Sequence, residues 1–171
     1  MKVFILFCLL MIPSLVIAPV LTDDVVNEIN RFVKQERSEL ISHIWGDYKE
    51  EIVTVVIKHV PYEESLLGKI NMRKLLIVMA NKESAGNPKA VSKRGAIGVW
   101  QIMPYEAEYY GYTAEDMFSI EKNLLVAKKV LYRKANLVKN AWTAVQCYNG
   151  SGWYAHNYKN HVKRAYYKLN I

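Results

Sequence analysis

The segment from Glu83 to Pro104 carries the residues of this chain that are best suited to chemistry. It reads ESAGNPKAVSKRGAIGVWQIMP, and it begins with a lone carboxylate at the end of an apolar run with helical spacing. An Asn-Pro break follows, and then a loop that contains Gly95 and Gly98. A carboxylic acid at the rim of a cleft, opposite a glycine-containing wall, can protonate a glycosidic oxygen. The segment therefore predicts a site for glycoside cleavage, with Glu83 as the acid.

The role of Glu83 requires a carboxyl group that is still protonated near neutral pH. Carbonyl groups at the C-terminal end of a helix and apolar neighbours such as Met79 and Ile102 both favour the neutral form, so we expect a raised pKa. A neutral glutamate can donate its proton to the leaving oxygen and then accept a proton as a base. The ordinary alternative for a single glutamate is a solvated charge at the helix end.

A second carboxylate is missing from this segment. Most glycosidases place one across the cleft from the acid, but residues 84–105 contain neither Asp nor Glu. The next acidic residues, Glu106 and Glu108, fall on a short helix that Pro104 begins, where we expect solvated charges. The sequence therefore predicts a single-acid site, which suits a reaction that needs no external nucleophile.

The spacing of the segment resembles the motif E-S-x-x-N-P-x-A-x-S-x-x-G-A-x-G-x-x-Q-x-M-P of the lysozyme-like lytic transglycosylases. A second block, Cys147-Tyr148-Asn149-Gly150, resembles the A-Y-N-x-G of that family. The resemblance covers roughly residues 70–165 and points to the soluble-transglycosylase (SLT) catalytic domain. It implies cleavage of the MurNAc–GlcNAc β-1,4 bond of peptidoglycan, in which the 6-hydroxyl of muramic acid attacks and a 1,6-anhydro ring forms.

The resemblance also implies which residues hold the substrate. In the family, a serine is expected to hydrogen-bond near the acid, a glycine lets a sugar approach the backbone, and a tyrosine hydroxyl lies near the acid or the substrate acetamido group. The corresponding substrate-binding positions are Ser92, Gly98, Gln101, Met103, Tyr148, Asn149, Tyr158 and His161.

Three positions leave alternatives open. The last family tyrosine lies in a segment like N-Y-V, for which Asn160-His161-Val162 is the nearest match, so either His161 replaces it or Tyr158 takes its role. Trp100 stands where the family has Met, and it is either a sugar-stacking platform or a packed aromatic. Ser84 either has a role in the motif or caps a turn.

The apolar spacing predicts a mainly α domain with at most a very small antiparallel β-sheet. The resemblance implies that this helical domain is lysozyme-like and that the sheet lies beside the cleft. We divide the chain into residues 1–21, an N-terminal membrane or export segment, residues 22–64, a helical stalk or packing extension, and residues 65–171, the catalytic domain. Asn71 and Ser119 are expected to cap helices, and a last helix is expected to begin near Tyr158.

Residues 3–21 form an apolar run, and Lys2 is the single charge of residues 1–21. This pattern predicts an export segment that inserts in the membrane and is retained or inefficiently removed. The chain would then lie at the periplasmic face of the inner membrane, in the cell wall or in a virion, and secretion, conjugation or phage assembly are possible settings.

The net charge of +7 suits the anionic cell wall. The basic residues are dispersed, so we expect no nucleic-acid partner. Cys8 and Cys147 do not form a disulfide framework, and the four histidines lack metal-ligand spacing. We therefore expect neither a metal nor another cofactor.

Two rival functions remain at this stage. A muramidase would admit water and release reducing ends. A non-catalytic assembly subunit would bind glycan in its cleft without turnover.

Overall fold

The computed structural model describes residues 22–169, and in this part of the chain the fold is mainly α. The predicted fold class, a lysozyme-like helical domain with a very small antiparallel sheet, is confirmed. The α-helices are α1 (Asp23–Ser42), α2 (Lys49–His59), α3 (Met72–Ser84), α4 (Pro104–Tyr109), α5 (Ile120–Val138), α6 (Ala141–Asn149) and α7 (Gly152–Lys168), and a 3₁₀ helix spans Glu115–Phe118.

The predicted membrane segment, residues 1–21, lies outside the described residues. Across residues 22–169, the helices are too short or too polar for any of them to cross a membrane.

Helix caps explain where two of the helices begin. The Asn71 side chain accepts a hydrogen bond from the backbone N–H of Lys74 at 2.9 Å, and the Ser119 hydroxyl accepts one from Lys122 at 3.4 Å. Each cap satisfies a backbone donor that has no partner inside its helix. Both predicted caps are confirmed.

The last helix begins earlier than the sequence analysis predicted. Helix α7 starts at Gly152 rather than near Tyr158. Its buried face already includes Ala155 and continues through Tyr158, Val162 and Tyr166. This helical stripe buries apolar surface from the first turns onward, and that burial outweighs the weak helix propensity of the residues before Tyr158.

The β-structure of the described residues is one two-stranded antiparallel sheet. Strand β1 (Ser65–Leu66) pairs antiparallel with β2 (Ile70–Asn71) just before α3. In the loop between α3 and α4, Ile97 pairs with Val91 and with Ile102 only through single bridges. Gly95, Gly98 and Gln101 all have positive φ, at 83°, 80° and 50°, so the chain turns too often there to form a continuous strand.

The chain divides into two units, residues 22–38 and residues 39–169. The first consists of most of α1, on which Val25, Val26 and Val33 are exposed. In the second, α2 buries Ile52, Val53 and Val56 in the same core to which α3 contributes Leu75, Leu76 and Met79.

Asn123 on α5 is a fully buried polar residue that holds the loop between α3 and α4. Its Oδ1 accepts a hydrogen bond from the Trp100 backbone N–H at 2.8 Å, and its Nδ2 donates to the carbonyls of Ile97 and Met117, both at 2.9 Å. Gly98 allows this close approach, because a Cβ there would lie 2.2 Å from the Met117 oxygen. Asn123 thus satisfies three buried backbone groups.

We predict that Asn123→Ala destabilises the protein by roughly 2–4 kcal/mol, because it leaves those backbone groups without partners in the core. The measurement is urea unfolding followed by circular dichroism. The matched control is Asn136→Ala, a change of the same type at an exposed position of α5, which should stay within about 0.5 kcal/mol of the wild type. Equal losses in the two variants would contradict this role of Asn123.

Candidate active site

The C-terminal end of α3 places Glu83. The helix stops because Ala85 and Gly86 adopt left-handed conformations, with φ of 54° and 74°. At Gly86 a side chain is excluded, since a Cβ would lie 2.6 Å from the carbonyl oxygen of Trp45. The sequence prediction that Glu83 lies in the last turn of this helix is confirmed.

The Glu83 carboxyl is enclosed by protein. The residue as a whole is half-buried, but its Oε1 is fully buried and has no hydrogen-bond partner among the described residues. Burial raises the pKa of Glu83 from its ordinary value of 4.5 to about 7, while the Tyr158 hydroxyl and the charge of Lys82 lower it. Burial prevails because the loss of hydration destabilises the carboxylate by more than Tyr158 and Lys82 stabilise it.

Two tyrosines surround the acid. The Tyr158 hydroxyl faces the carboxyl and influences its pKa, yet it is also buried without a partner, so the two groups face each other without closing a hydrogen bond. The Tyr148 hydroxyl donates to the Trp100 carbonyl at 2.7 Å. Burial and the nearby Glu83 charge raise the pKa of both tyrosines well above the ordinary value. Both therefore remain neutral phenols when Glu83 titrates.

Trp100 is a packed aromatic rather than a sugar platform, which decides between the two alternatives. Its side chain is fully buried, and its indole N–H donates to the Leu76 carbonyl on α3 at 2.8 Å. Its backbone N–H bonds Asn123 on α5, and its carbonyl accepts from Tyr148 on α6. One residue thus connects three helices around the acid.

The motif loop, residues 85–103, is shaped by two serine side chains. The Ser84 hydroxyl donates to the Val99 carbonyl at 2.9 Å and accepts from the Asn87 N–H at 3.1 Å, so it caps the turn after α3. The Ser92 hydroxyl accepts from the Ala96 N–H at 2.9 Å. This bond holds the turn at Gly95, and the contact of Ser92 with acid or substrate stays a prediction.

The other motif positions also have scaffold contacts. Gln101 donates from Nε2 to the carbonyls of Gly98 at 2.9 Å and Ala90 at 3.3 Å. The Cα of Gly98 faces Asn123 and Met117, so close packing already accounts for the glycine. Met103 is half-buried at the N-cap of α4. Substrate contacts of Gln101, Gly98 and Met103 remain predictions.

The structure brings Tyr158, and not His161, to the acid. His161 is exposed on α7, whereas Tyr158 is buried and faces Glu83. The sequence carries a signal for this choice, since Asn157-Tyr158 itself reads N-Y. Asn149 is exposed at the end of α6, where a substrate can reach it, and its role stays a prediction.

Glu106 corrects one expectation. It is a buried ion-pair partner instead of a solvated charge, and Arg133 Nη2 donates to its two carboxylate oxygens at 2.6 and 2.5 Å. The sequence could not show this, because Arg133 lies on α5, a different helix. Glu108 is exposed as expected. A carboxylate neutralised by a guanidinium is a poor nucleophile or base, so Glu106 does not supply the missing second carboxylate.

Two cavities among the described residues lie away from the acid. One of about 640 Å³ lies beside α2 and the 3₁₀ helix, with Tyr48, Val55 and Phe118 in its lining. Another of about 480 Å³ lies between α4 and α5. Glu83 lines neither of them, so we locate the candidate site by the chemistry of its carboxyl. Within residues 22–169 no three His, Cys, Asp or Glu side chains come together as metal ligands.

Comparison with known proteins identifies the family. The family model of the transglycosylase SLT domain matches residues 60–170, well over half of the chain. The chain belongs to the transglycosylase SLT domain family. The matched range includes Glu83, the motif loop, Tyr148 and Tyr158. SLT domain membership indicates a lyase-type transglycosylase that acts on peptidoglycan. No curated protein and no solved structure gives a match.

The raised pKa of Glu83 has a consequence for stability. Below its ordinary pKa of 4.5 the carboxyl is neutral in both the folded and the unfolded chain, and the folded state carries no penalty. As the pH rises toward 7, the unfolded chain loses the proton first, so the folded state loses stability.

We predict that Glu83→Gln, which stays neutral, matches the wild type at about pH 4 and exceeds its free energy of unfolding by roughly 1–3 kcal/mol at about pH 8. Urea unfolding at several pH values measures this difference. A difference that is constant with pH would show that Glu83 titrates alike in the folded and unfolded states.

Proposed function

We propose that this SLT domain is a lytic transglycosylase that cleaves the MurNAc–GlcNAc β-1,4 bond of peptidoglycan and leaves 1,6-anhydromuramic acid ends. The observation that supports it most strongly is the buried Glu83 carboxyl with a pKa of about 7. Such a group is an effective proton donor and, once ionised, an effective acceptor near neutral pH.

The first step is protonation of the leaving group. The Glu83 O–H donates its proton to the glycosidic oxygen, and the bond between that oxygen and the anomeric carbon of MurNAc breaks. Positive charge develops at the anomeric carbon, and the substrate acetamido oxygen stabilises it. Glu83 is left as a carboxylate, opposite the neutral Tyr158 hydroxyl, which favours that charged form.

The second step is ring closure. The Glu83 carboxylate accepts the proton of the MurNAc 6-hydroxyl while its oxygen bonds the anomeric carbon. The acid is regenerated, and no water is consumed. An attacking group already tethered to the reacting ring has a high effective concentration, so it needs less activation than bulk water.

The surroundings of Glu83 support this route over hydrolysis. Attack by water requires a base or nucleophile across the cleft. The motif loop contains no carboxylate, and Glu106 beyond it is neutralised by Arg133. The tyrosines near Glu83 keep their protons, because their pKa values are raised.

We also propose that the enzyme is exported and attached to the membrane through residues 3–21, where it opens the cell wall locally. The apolar run at those positions and the excess of basic residues support this location. Secretion, conjugation and phage entry are settings that require such an opening.

We predict that the wild type releases muropeptides ending in 1,6-anhydromuramic acid, and that Glu83→Gln lowers lysis at least ~100-fold while glycan binding is kept. The substitution nearly conserves shape but removes the transferable proton. The control is Glu108→Gln, an exposed glutamate on α4, which should lyse the wall at the wild-type rate.

Mass analysis of the products, with half of the digest treated with borohydride, distinguishes the reactions. Anhydro ends do not take up the two hydrogens of reduction. Products that gain them would make the enzyme a muramidase. Binding of the wild type without any lysis would instead indicate a glycan-binding subunit.

A further inference from the structure

Two large aromatic side chains are exposed side by side at the start of α7. Trp153 is 69% exposed and Tyr154 is 81% exposed. Their ring centroids are 5.1 Å apart, and the ring planes make an angle of 83°. This edge-to-face contact is a favourable arrangement for two aromatic rings, and it orients each ring with respect to the other.

The chain just before Trp153 leaves open space beside two glycines. Gly150 and Gly152 have positive φ, and a Cβ at either would have nothing within 4 Å. Adjacent exposed aromatics rimmed by small and polar residues are typical of an interaction site rather than of an ordinary helix surface.

The geometry of α7 relates this pair to the acid. Tyr154 lies one helical turn before Tyr158, so the two side chains project from the same face of the helix, about 6 Å apart along its axis. Tyr158 is buried and faces Glu83, whereas Tyr154 is exposed. Tyr154 therefore lies outward from the acid on the same face of α7, and the Trp153 ring contacts it there.

We propose that Trp153 and Tyr154 form a platform that holds one sugar ring of the glycan strand, next to the two sugars whose glycosidic bond is cleaved. The faces of aromatic rings carry partial negative charge, and they attract the positively polarised C–H bonds of a pyranose ring. This proposal rests on the proposed function in that it takes peptidoglycan glycan as the ligand. It assigns positioning of the strand to the pair and no part in proton transfer.

A membrane surface is the other class of partner that exposed Trp and Tyr side chains can contact. The position of Tyr154 on the face of α7 that leads to Glu83 favours the glycan. The membrane therefore enters the experiment as an outcome that would overturn the platform.

The test measures binding in a Glu83→Gln background, where no turnover is needed. The probes are a soluble β-1,4-linked N-acetylglucosamine oligomer and glycan strands freed of their peptides. We expect Trp153→Ala and Tyr154→Ala each to weaken binding roughly tenfold, and Tyr154→Phe to restore most of it. The matched control is Tyr167→Ala, at the opposite end of α7 and 63% exposed, which should bind as the background does.

Unchanged glycan binding in both alanine variants would overturn the platform, as would an equal loss in Tyr167→Ala. The platform would also be overturned if the alanine variants lose binding to anionic phospholipid vesicles but bind the glycan as well as the background does. Circular dichroism confirms that each variant is folded, and Tyr154→Phe keeps the test valid if an alanine variant fails to fold.

Failure of the platform and failure of the proposed function give different results. If Glu83→Gln lyses the wall normally, the catalytic proposal fails, but the binding comparison can still support the platform. In the enzyme with Glu83 intact, loss of the platform should raise KM for long strands and leave kcat nearly unchanged, because the pair does not touch the reacting atoms.

Discussion

The hydrogen bonds of Trp100 hold the rest of the site in place. The residue is fully buried, and its indole N–H, backbone N–H and carbonyl bond α3, α5 and α6 in turn. Each of these groups would carry a desolvation penalty if it lost its partner, so the three helices are fixed around the motif loop together. Trp100 therefore fixes two helix ends on either side of it. One is the end of α3, which carries the acid, and the other is the end of α6, which carries Tyr148.

The chemistry follows from the burial that this junction creates. The domain encloses the Glu83 carboxyl, and no cation among residues 22–169 pairs with it closely enough to offset the loss of water, so the neutral form persists to about pH 7. The charged carboxylate Glu106, by contrast, is paired with Arg133. One domain thus holds a buried carboxyl group that is paired with a guanidinium and another that is not, and the environment rather than the residue type makes Glu83 the acid.

Local features of the sequence predict much of this arrangement. The cap at Asn71, the place of Glu83 in the last turn and the mainly helical class all follow from periodicity and capping, which act over a few residues. The pairing of Glu106 and the burial of Trp100 depend on partners from other helices, which neighbouring residues in the sequence do not specify. The early start of α7 was missed for the same reason, since tertiary burial decides it.

The most direct test of the central claim is a ¹³C NMR titration of the Glu83 side-chain carboxyl in the folded protein, assigned by comparison with Glu83→Gln. We predict that this resonance titrates at a pKa of about 7. A Glu83 carboxyl that titrates near its ordinary value of 4.5 would contradict the account, because such a group is ionised at neutral pH and has no proton to give.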